Sequence, residues 1–484
     1  MNPTTTQSSG LTNYFVNSRY AIVVGAIALG TSFVFLLLPD RLFSEDSLVF
    51  LVVAASFLVA ICGALAISQT ASGNANGLFF LPALVIWVFV MISDVIFHHQ
   101  GTTAGAITGA FGAGVYQQVG SWILAMLVLL FITSRNPKYL FKMFSGQFKW
   151  VTLFALLVLA STPISVSPLH SLAWTFKLVL IVLLAGAVAS CLQRREDIIT
   201  LFQALLVGTL AVTFIRFVTP FMEAGPAFKS GRLEEVANLS GTAGLLVMLV
   251  LINLKFNKSP WLLLVGAFGL VAMILSGGKG GILGSVISVV AFFVLIRGIR
   301  YAVGAILALS FVFALLVSVT PYGEYLDRYG KSGGASTLTG RTELWGVVWP
   351  QILSHPILGH GYMASRFLSV EVKGVFTDAS QTHNSLLEVL YNNGILGLLL
   401  VLAICIIVVR NFILARKHNP DPTVQYIAAA GLATCLNLFV WGMFSAAAYG
   451  GSPTSPFMIL LALFIVSSFL RKTATVTGAA TECT

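Results

Sequence analysis

Residues 339–345 (TGRTELW) combine the side chains and the backbone freedom that phosphate binding requires. Gly340 lets the backbone approach a ligand closely. Arg341 is expected at the start of a helix, where free N–H groups favour an anion, and its guanidinium can bind two phosphate oxygens at once. Glu343 and Trp345 follow as supporting residues. The structural alternative is that Arg341 pairs with Glu343 or caps the backbone.

A second polar cluster, residues 382–385 (THNS), supplies a candidate proton acceptor. A histidine such as His383 can accept a proton near neutral pH, and Asn384 beside it is a supporting residue. Glu388 follows about one helical turn later and is a candidate to orient the imidazole ring. The alternative is that His383 serves only as a cap or interface residue at the start of a helix.

Lys279 stands in a glycine-rich segment, residues 275–281 (LSGGKGG), between two apolar runs. Exposed backbone amides beside one lysine resemble an anion-binding nest. The spacing is not that of a P-loop, which requires GxxxxGK followed by Ser or Thr. A tight hairpin with a lysine that extends to the membrane surface is the structural alternative.

Two arginines complete the predicted pyrophosphate-binding set with Lys279. Arg216 is expected near the outer end of an apolar span, and Arg232 stands in a polar loop. The alternative for Arg232 is a solvated ion pair with Glu234 or Glu235.

Membrane-spanning helices must position these residues. Of the 484 residues, 57% are hydrophobic and only 9% are charged, whereas soluble domains have about 25% charged residues. A span needs about 20 mostly apolar residues, which predicts an all-α polytopic membrane protein with about 12–14 transmembrane helices in one domain, residues 20–470. The first apolar run has the features of a signal anchor. The candidate spans are residues 20–38, 48–67, 78–97, 115–134, 150–166, 169–191, 198–219, 239–256, 260–276, 281–297, 301–320, 384–410, 424–447 and 456–470.

The distribution of charge predicts the orientation. With the N-terminus inside, the cytoplasmic stretches contain most of the 27 lysines and arginines but only four of the 17 acidic residues, as the positive-inside rule requires. The tails, residues 1–19 and 471–484, are then cytoplasmic, and residues 321–383 form an extracytoplasmic loop. An amphipathic surface helix is expected in this loop, bounded by Pro350 and Pro356.

This topology brings the candidate residues to one membrane surface. Several cations beside a potential base suit a substrate with a membrane-anchored pyrophosphate, which is a good leaving group and needs no nucleotide. The protein would neutralise the charge that develops on it and help to deprotonate an acceptor hydroxyl. The surplus positive charge is spread over membrane-flanking loops, which argues against nucleic-acid binding. The five scattered cysteines predict neither a disulfide framework nor a zinc site.

Several sequence blocks resemble those of the O-antigen ligase and O-antigen polymerase superfamily, which includes exopolysaccharide polymerases. The resemblance is detailed over residues 339–400 and loose elsewhere. The blocks are residues 340–345 (GRTELW), 355–362 (HPILGHGY), 383–388 (HNSLLE) and 393–397 (NGILG), together with residues 165–171 (SVSPLHS), which resemble an earlier Ser-Pro-Ser motif of the family.

The resemblance implies a glycosyltransferase of the GT-C type with a large periplasmic loop between late helices. It also implies a metal-independent, inverting reaction without a cofactor, in which the loop arginine and histidine, here Arg341 and His383, are essential. A Ser-Arg-Gly motif is usual in the family where this chain has residues 276–280 (SGGKG). Lys279 retains a positive charge there but lacks the two-pronged geometry of a guanidinium.

The same resemblance implies a bacterial inner-membrane enzyme, surrounded by membrane lipids, whose donor is a glycan linked to undecaprenyl pyrophosphate. The acceptor is another lipid-linked repeat unit for an exopolysaccharide or O-antigen polymerase, and lipid A–core for a ligase. The short GHGY loop favours the polymerase, for which a chain-length regulator is a candidate partner. A transporter or flippase of the same lipids is the alternative from another class. It predicts charges along the helices, for which Asp94, Lys177 and Arg216 are the candidates.

Overall fold

The computed structural model describes residues 77–96, 113–134, 144–224, 239–319, 341–367, 381–446, 449 and 454–481. This part of the chain forms α-helices and short 3₁₀ turns, and it contains no β-strand. The α-helices are α1 (Gly77–Ile96), α2 (Ala113–Ser134), α3 (Lys149–Ser161), α4 (Pro168–Cys191), α5 (Arg195–Ala224), α6 (Leu239–Leu254), α7 (Pro260–Leu275), α8 (Lys279–Arg297), α9 (Ile299–Val319), α10 (Arg341–Ser354), α11 (Ser385–His418), α12 (Pro422–Gly442) and α13 (Ser455–Thr481).

The chain is an all-α polytopic membrane protein, as predicted. Twelve of the fourteen predicted spans coincide with a described helix, whereas the spans over residues 20–38 and 48–67 lie outside the described residues. Helices α1, α2, α6 and α7 contain shorter apolar segments. Seven described helical segments are long and apolar enough to cross a membrane, namely Gly146–Ile164, Pro168–Cys191, Arg195–Val218, Lys279–Arg297, Ser385–His418, Pro422–Gly442 and Ser455–Thr473.

Small residues allow α6 to lie among several helices. Almost all of its side chains are buried, and it packs against α5, α7, α8 and α12. A Cβ atom added to Gly241 of α6 would overlap the indole ring of Trp441 on α12, and one added to Gly281 of α8 would overlap Ser240 of α6. Close packing of this kind is a main cause of helix association in a membrane. Apolar side chains gain little there by moving from lipid tails into the protein, because both surroundings are apolar.

The turn in the glycine-rich segment is shorter than the gap between the predicted spans, which end at residue 276 and begin at residue 281. Helix α7 ends at Leu275, and α8 already begins at Lys279. Only residues 276–278 lie between them, and Gly277 has a positive φ of 61°. Lys279 is therefore the first residue of a helix, where the backbone N–H groups lack intrahelical partners.

The loop helix α10 continues past Pro350, so the expectation that this proline bounds it is wrong. Leu344, Val348 and Ile352 recur one turn apart, and all three are buried in a cluster that includes Tyr391 of α11. This stripe holds α10 against α11 across the proline. Tertiary packing thus overrides the local helix-breaking tendency, which costs about 3 kcal/mol for a proline inside a helix.

Helix α11 is kinked at Gly394, which has φ 61° and ψ −166°. The kink lets the segment after α10 dock on the helix backbone. The N–H of Ile395 donates to the carbonyl of Pro356 at 2.8 Å, and the N–H of His360 donates to the carbonyl of Tyr391 at 2.9 Å. The predicted blocks at residues 355–362 and 393–397 therefore form one structural unit.

We expect Gly281→Ala to lower the unfolding temperature of the detergent-solubilised protein, because the new methyl group would overlap Ser240 and the backbone of Gly241. Overpacking of this kind costs about 1–3 kcal/mol. Gly304→Ala is the matched control, since nothing lies within 4 Å of a Cβ atom added there. Thermal unfolding followed by tryptophan fluorescence measures the difference, and equal midpoints for the two variants would contradict the packing.

Candidate active site

Among the described helices that begin at one end of the bundle, α8, α10 and α11 have a basic or imidazole side chain at or just before their starts. Helix α8 starts at Lys279, α10 starts at Arg341, and α11 starts shortly after His383. Phe444 connects the first two helices. Its ring centroid lies 5.8 Å from the guanidinium carbon of Arg341, and its Cβ would lie 2.5 Å from a Cβ atom added to Gly280. Helix N-termini have partial positive charge, so this end of the bundle favours an anion.

Arg341 and His383 lie in the same site, although they are 42 positions apart in sequence. Trp345, one turn after Arg341 on α10, donates its indole N–H to the carbonyl of Thr382 at 2.9 Å. The charge of Arg341 also lies close enough to His383 to lower the pKa of the imidazole. The start of α10 is thereby fixed to the segment that presents the histidine.

His383 has a φ of 54°, in the left-handed region that few non-glycine residues adopt. The neighbouring Asn384 is firmly held. Its side-chain oxygen accepts from the N–H groups of Leu386 and Leu387 at 2.9 and 3.1 Å, and its amide nitrogen donates to the carbonyl of Met443 at 3.3 Å. A strained residue costs about 1–3 kcal/mol and persists only where its surroundings fix it. The backbone therefore fixes the direction of the Cα–Cβ bond of His383.

Glu388 is buried beneath this segment, with only 1% of its surface exposed. Its carboxyl group accepts hydrogen bonds from the N–H and the hydroxyl of Thr382, each at 2.9 Å, and from the hydroxyl of Ser365. We predicted that Glu388 orients the ring of His383. The hydrogen bonds show that it holds the residue before His383 and, on its other oxygen, a second loop segment.

Arg366, which was not predicted as a site residue, also lies close enough for its charge to act on His383. Arg366 is half-buried in the 3₁₀ turn Ala364–Phe367, and its charge is close enough to act on Glu388 and on His170 of α4 as well. The available signal was a basic residue just after the GHGY block, in a loop predicted to face outward, where the positive-inside rule disfavours positive charge.

The pKa of His383 is lowered from its usual 6.5 to about 4. Burial is the main cause, because it penalises the charged imidazolium, and the positive charges of Arg341 and Arg366 lower the pKa further. The ring is therefore neutral at neutral pH, and a neutral imidazole has one nitrogen whose lone pair can accept a proton.

The Ser-Pro-Ser block supports the same site from α4. The hydroxyl of Ser171 donates to the carbonyl of Tyr362 at 2.5 Å and lies 2.6 Å from the hydroxyl oxygen of Ser165. Gly361 has a φ of 95°, and a Cβ atom there would lie 2.5 Å from the Cα of Ser165. Only glycine fits this contact, which holds the loop that leads to Arg366.

The remaining predicted residues are less closely connected to His383. Lys279 is exposed and Arg216 is half-buried on α5. In the part of the chain that the structure describes, neither is among the charges that shift the pKa of His383. Arg232 and the side chain of Glu343 lie outside the described part of the protein.

Residues 243–402 match the family model described as O-antigen ligase. None of the curated proteins compared matches the chain. The matched range contains Lys279, Arg341, Arg366 and His383, and the SVSPLHS block and Arg216 precede it. The geometry described above is therefore centred within the matched region.

We expect Arg341→Gln to raise the pKa of His383 above about 4, because loss of a neighbouring positive charge favours the imidazolium. The pKa should stay below 6.5, since burial remains the main cause of the shift. Titration of ¹³C-labelled histidine by NMR in nanodiscs measures this change, with His383→Gln to assign the signal. Lys279→Gln is the control and should leave the pKa unchanged. An unaltered pKa in Arg341→Gln would disprove the electrostatic coupling.

Proposed function

We propose that this chain transfers a glycan from a polyprenyl pyrophosphate to an acceptor hydroxyl. Residues 243–402 match the O-antigen ligase family model, and the chain falls in the superfamily that its motifs resemble. Members of this family are glycosyltransferase-like enzymes. The observation that supports the proposal most directly is the placement of a neutral His383 beside the charge of Arg341. Anion binding and proton acceptance thus occur together where apolar helices begin.

In the proposed reaction, the acceptor hydroxyl oxygen attacks the anomeric carbon of the donor glycan while His383 takes the hydroxyl proton. The bond between the anomeric carbon and the pyrophosphate oxygen breaks, and the polyprenyl pyrophosphate leaves with the electron pair. Arg341, at the N-terminus of α10, stabilises the negative charge that develops on the leaving group. A single displacement inverts the anomeric configuration and uses no metal ion.

We place the site at the periplasmic face of the bacterial inner membrane, with both termini in the cytoplasm. Helices α8 and α11 support this orientation. Each begins at the site end and finishes with basic residues, Arg297 in α8 and Arg416 and Lys417 in α11. Positive charge at the far ends of these helices is typical of the cytoplasmic side.

The transporter alternative receives no support from Lys177. This residue is fully buried on α4, with its ammonium nitrogen 5.0 Å from the ring centroid of Trp122 and 5.1 Å from that of Trp174. Cation–π contacts with two indoles explain why a lysine is present within a span, so its presence does not require a pathway for transport. The side chain of Asp94 lies outside the described part of the chain.

Within the family, we propose that the protein polymerises exopolysaccharide or O-antigen repeat units, with ligation to lipid A–core as the alternative. The test is reconstitution into proteoliposomes with an undecaprenyl-pyrophosphate oligosaccharide, in the presence of EDTA. We expect a ladder of products that grows without a second acceptor. Product formation only after addition of lipid A–core would identify a ligase, and the absence of product with both acceptors would contradict the proposed function.

In the same assay, we expect Arg341→Ala and His383→Ala each to reduce transfer roughly 100- to 1,000-fold. This corresponds to about 2.7–4 kcal/mol for one contact formed in the transition state. Arg300→Ala is the control, because Arg300 is exposed near the start of α9, away from the site end of α8. Near wild-type rates for both site variants would rule out the assigned roles.

A further inference from the structure

We propose that Arg366, which is presented by the turn Ala364–Phe367, is a second phosphate-binding residue of this site. Arg341 would bind one phosphate of the donor and Arg366 the other, so that the site distinguishes a pyrophosphate from a monophosphate. This inference rests on the proposed function, since it assumes a donor with a lipid-linked pyrophosphate.

The turn that presents Arg366 is anchored to α11 by two hydrogen bonds from Ser365. The backbone N–H of Ser365 donates to the side-chain oxygen of Asn392 at 2.9 Å, and the hydroxyl of Ser365 donates to Glu388. The adjacent Met363 is buried with a positive φ of 60°. The backbone at Arg366 is therefore set by contacts with α11, as the backbone at His383 is.

The carboxyl group of Glu388 holds the backbone beside Arg366 close to the backbone beside His383. Glu388 accepts from Ser365 through Oε1 and from Thr382 through Oε2. Arg366 directly follows Ser365, and His383 directly follows Thr382. Ordinary bond lengths and angles place the two oxygens of a carboxyl group about 2.2 Å apart. Because each oxygen binds one of the two segments, the backbones that bear Arg366 and His383 lie side by side.

The side chain of Arg366 extends toward the same space. Its charge acts on groups from separate elements, namely His383 before α11, Glu388 within α11 and His170 at the start of α4. Phe367, the next residue, places its ring centroid 5.2 Å from that of His170. The charge of Arg366 is therefore close to the starts of both α4 and α11.

A pyrophosphate needs more positive charge than Arg341 alone supplies. Lys279 is exposed, and its charge is not among those that shift the pKa of His383 in the described part of the protein. Arg366 is half-buried, so its charge is less screened by solvent, and a guanidinium can bind two phosphate oxygens in a fixed geometry. We therefore assign the second phosphate to Arg366.

The competing explanation is that Arg366 only balances the nearby carboxyl group of Glu388. The two explanations differ in substrate recognition. A residue that only balances Glu388 would affect stability, whereas a phosphate-binding residue would affect the KM for the donor and the preference for pyrophosphate. Loss of its charge would also raise the pKa of His383, which moves the acidic limb of the pH–rate profile upward from about 4.

The experiment compares Arg366→Gln, Arg366→Lys and the control Arg300→Gln in proteoliposomes. We expect Arg366→Gln to raise the KM for the undecaprenyl-pyrophosphate oligosaccharide at least tenfold and to move the acidic limb of kcat/KM to higher pH. Arg366→Lys should restore the pH profile and only part of the KM, because lysine retains the charge without the fork. Arg300→Gln should match the wild type.

Direct binding separates this inference from the proposed function. Purified wild type should bind undecaprenyl pyrophosphate more tightly than undecaprenyl monophosphate, and Arg366→Gln should lose that preference at an unchanged unfolding temperature. If Arg366→Gln does not fold, Arg366→Lys decides the question through a reduced preference. A folded variant with wild-type KM and preference would overturn the role of Arg366 alone. A wild-type protein that neither binds the pyrophosphate lipid nor transfers glycan would overturn the proposed function itself.

Discussion

The arrangement of the site depends on one buried carboxyl group, that of Glu388. Burial of a carboxyl group in an apolar helix bundle costs several kcal/mol unless hydrogen bonds compensate for lost water. Here the donors come from Thr382 and Ser365, which belong to two different loop segments. The cost of burial is offset only when both segments lie against α11. The same bonds that satisfy Glu388 therefore order the backbones that present His383 and Arg366.

Glycines make this ordering possible, because the loop must contact helix backbones directly. Gly359, Gly361 and Gly394 all have positive φ values. A Cβ atom on Gly359 would lie 2.6 Å from backbone atoms of residues 391–394, and one on Gly361 would overlap Ser165. Gly359 and Gly394 join the block at residues 355–362 to the block at residues 393–397, and Gly361 joins the first of these to the block at residues 165–171. These contacts hold the loop that bears Arg366 against α11 and against the segment before α4.

Local patterns predicted the helices well, because apolar runs of sufficient length have few alternatives to a membrane span. Arg341 was also correctly expected at a helix start. Pro350 was misjudged because the stripe of Leu344, Val348 and Ile352 that carries α10 past it is stabilised by contacts with α11. Residue types alone do not reveal such contacts.

The parts of the site that escaped prediction depend on long-range hydrogen bonds. The bond from Ser365 to Glu388 joins residues 23 apart, and the bond from Ser171 to Tyr362 joins residues 191 apart. Neither leaves a periodic signal in the sequence. Arg366 was overlooked for this reason, since nothing near it in sequence indicates that its turn lies beside His383. Glu388 was recognised, but its partner could not be inferred from helical spacing.

On the proposed function, the arginines affect His383 in two opposing ways. In the free protein, their charge and burial hold its pKa at about 4, so the ring is neutral but a weak base. A bound pyrophosphate would offset the positive charge of Arg341 and Arg366, and the pKa of His383 would then rise toward its ordinary value. Proton acceptance becomes more favourable only once the donor is in place. Because the residues that bind the leaving group also set the strength of the base, the base is strongest in the donor complex, and the free site has little tendency to become protonated and repel its cationic partners.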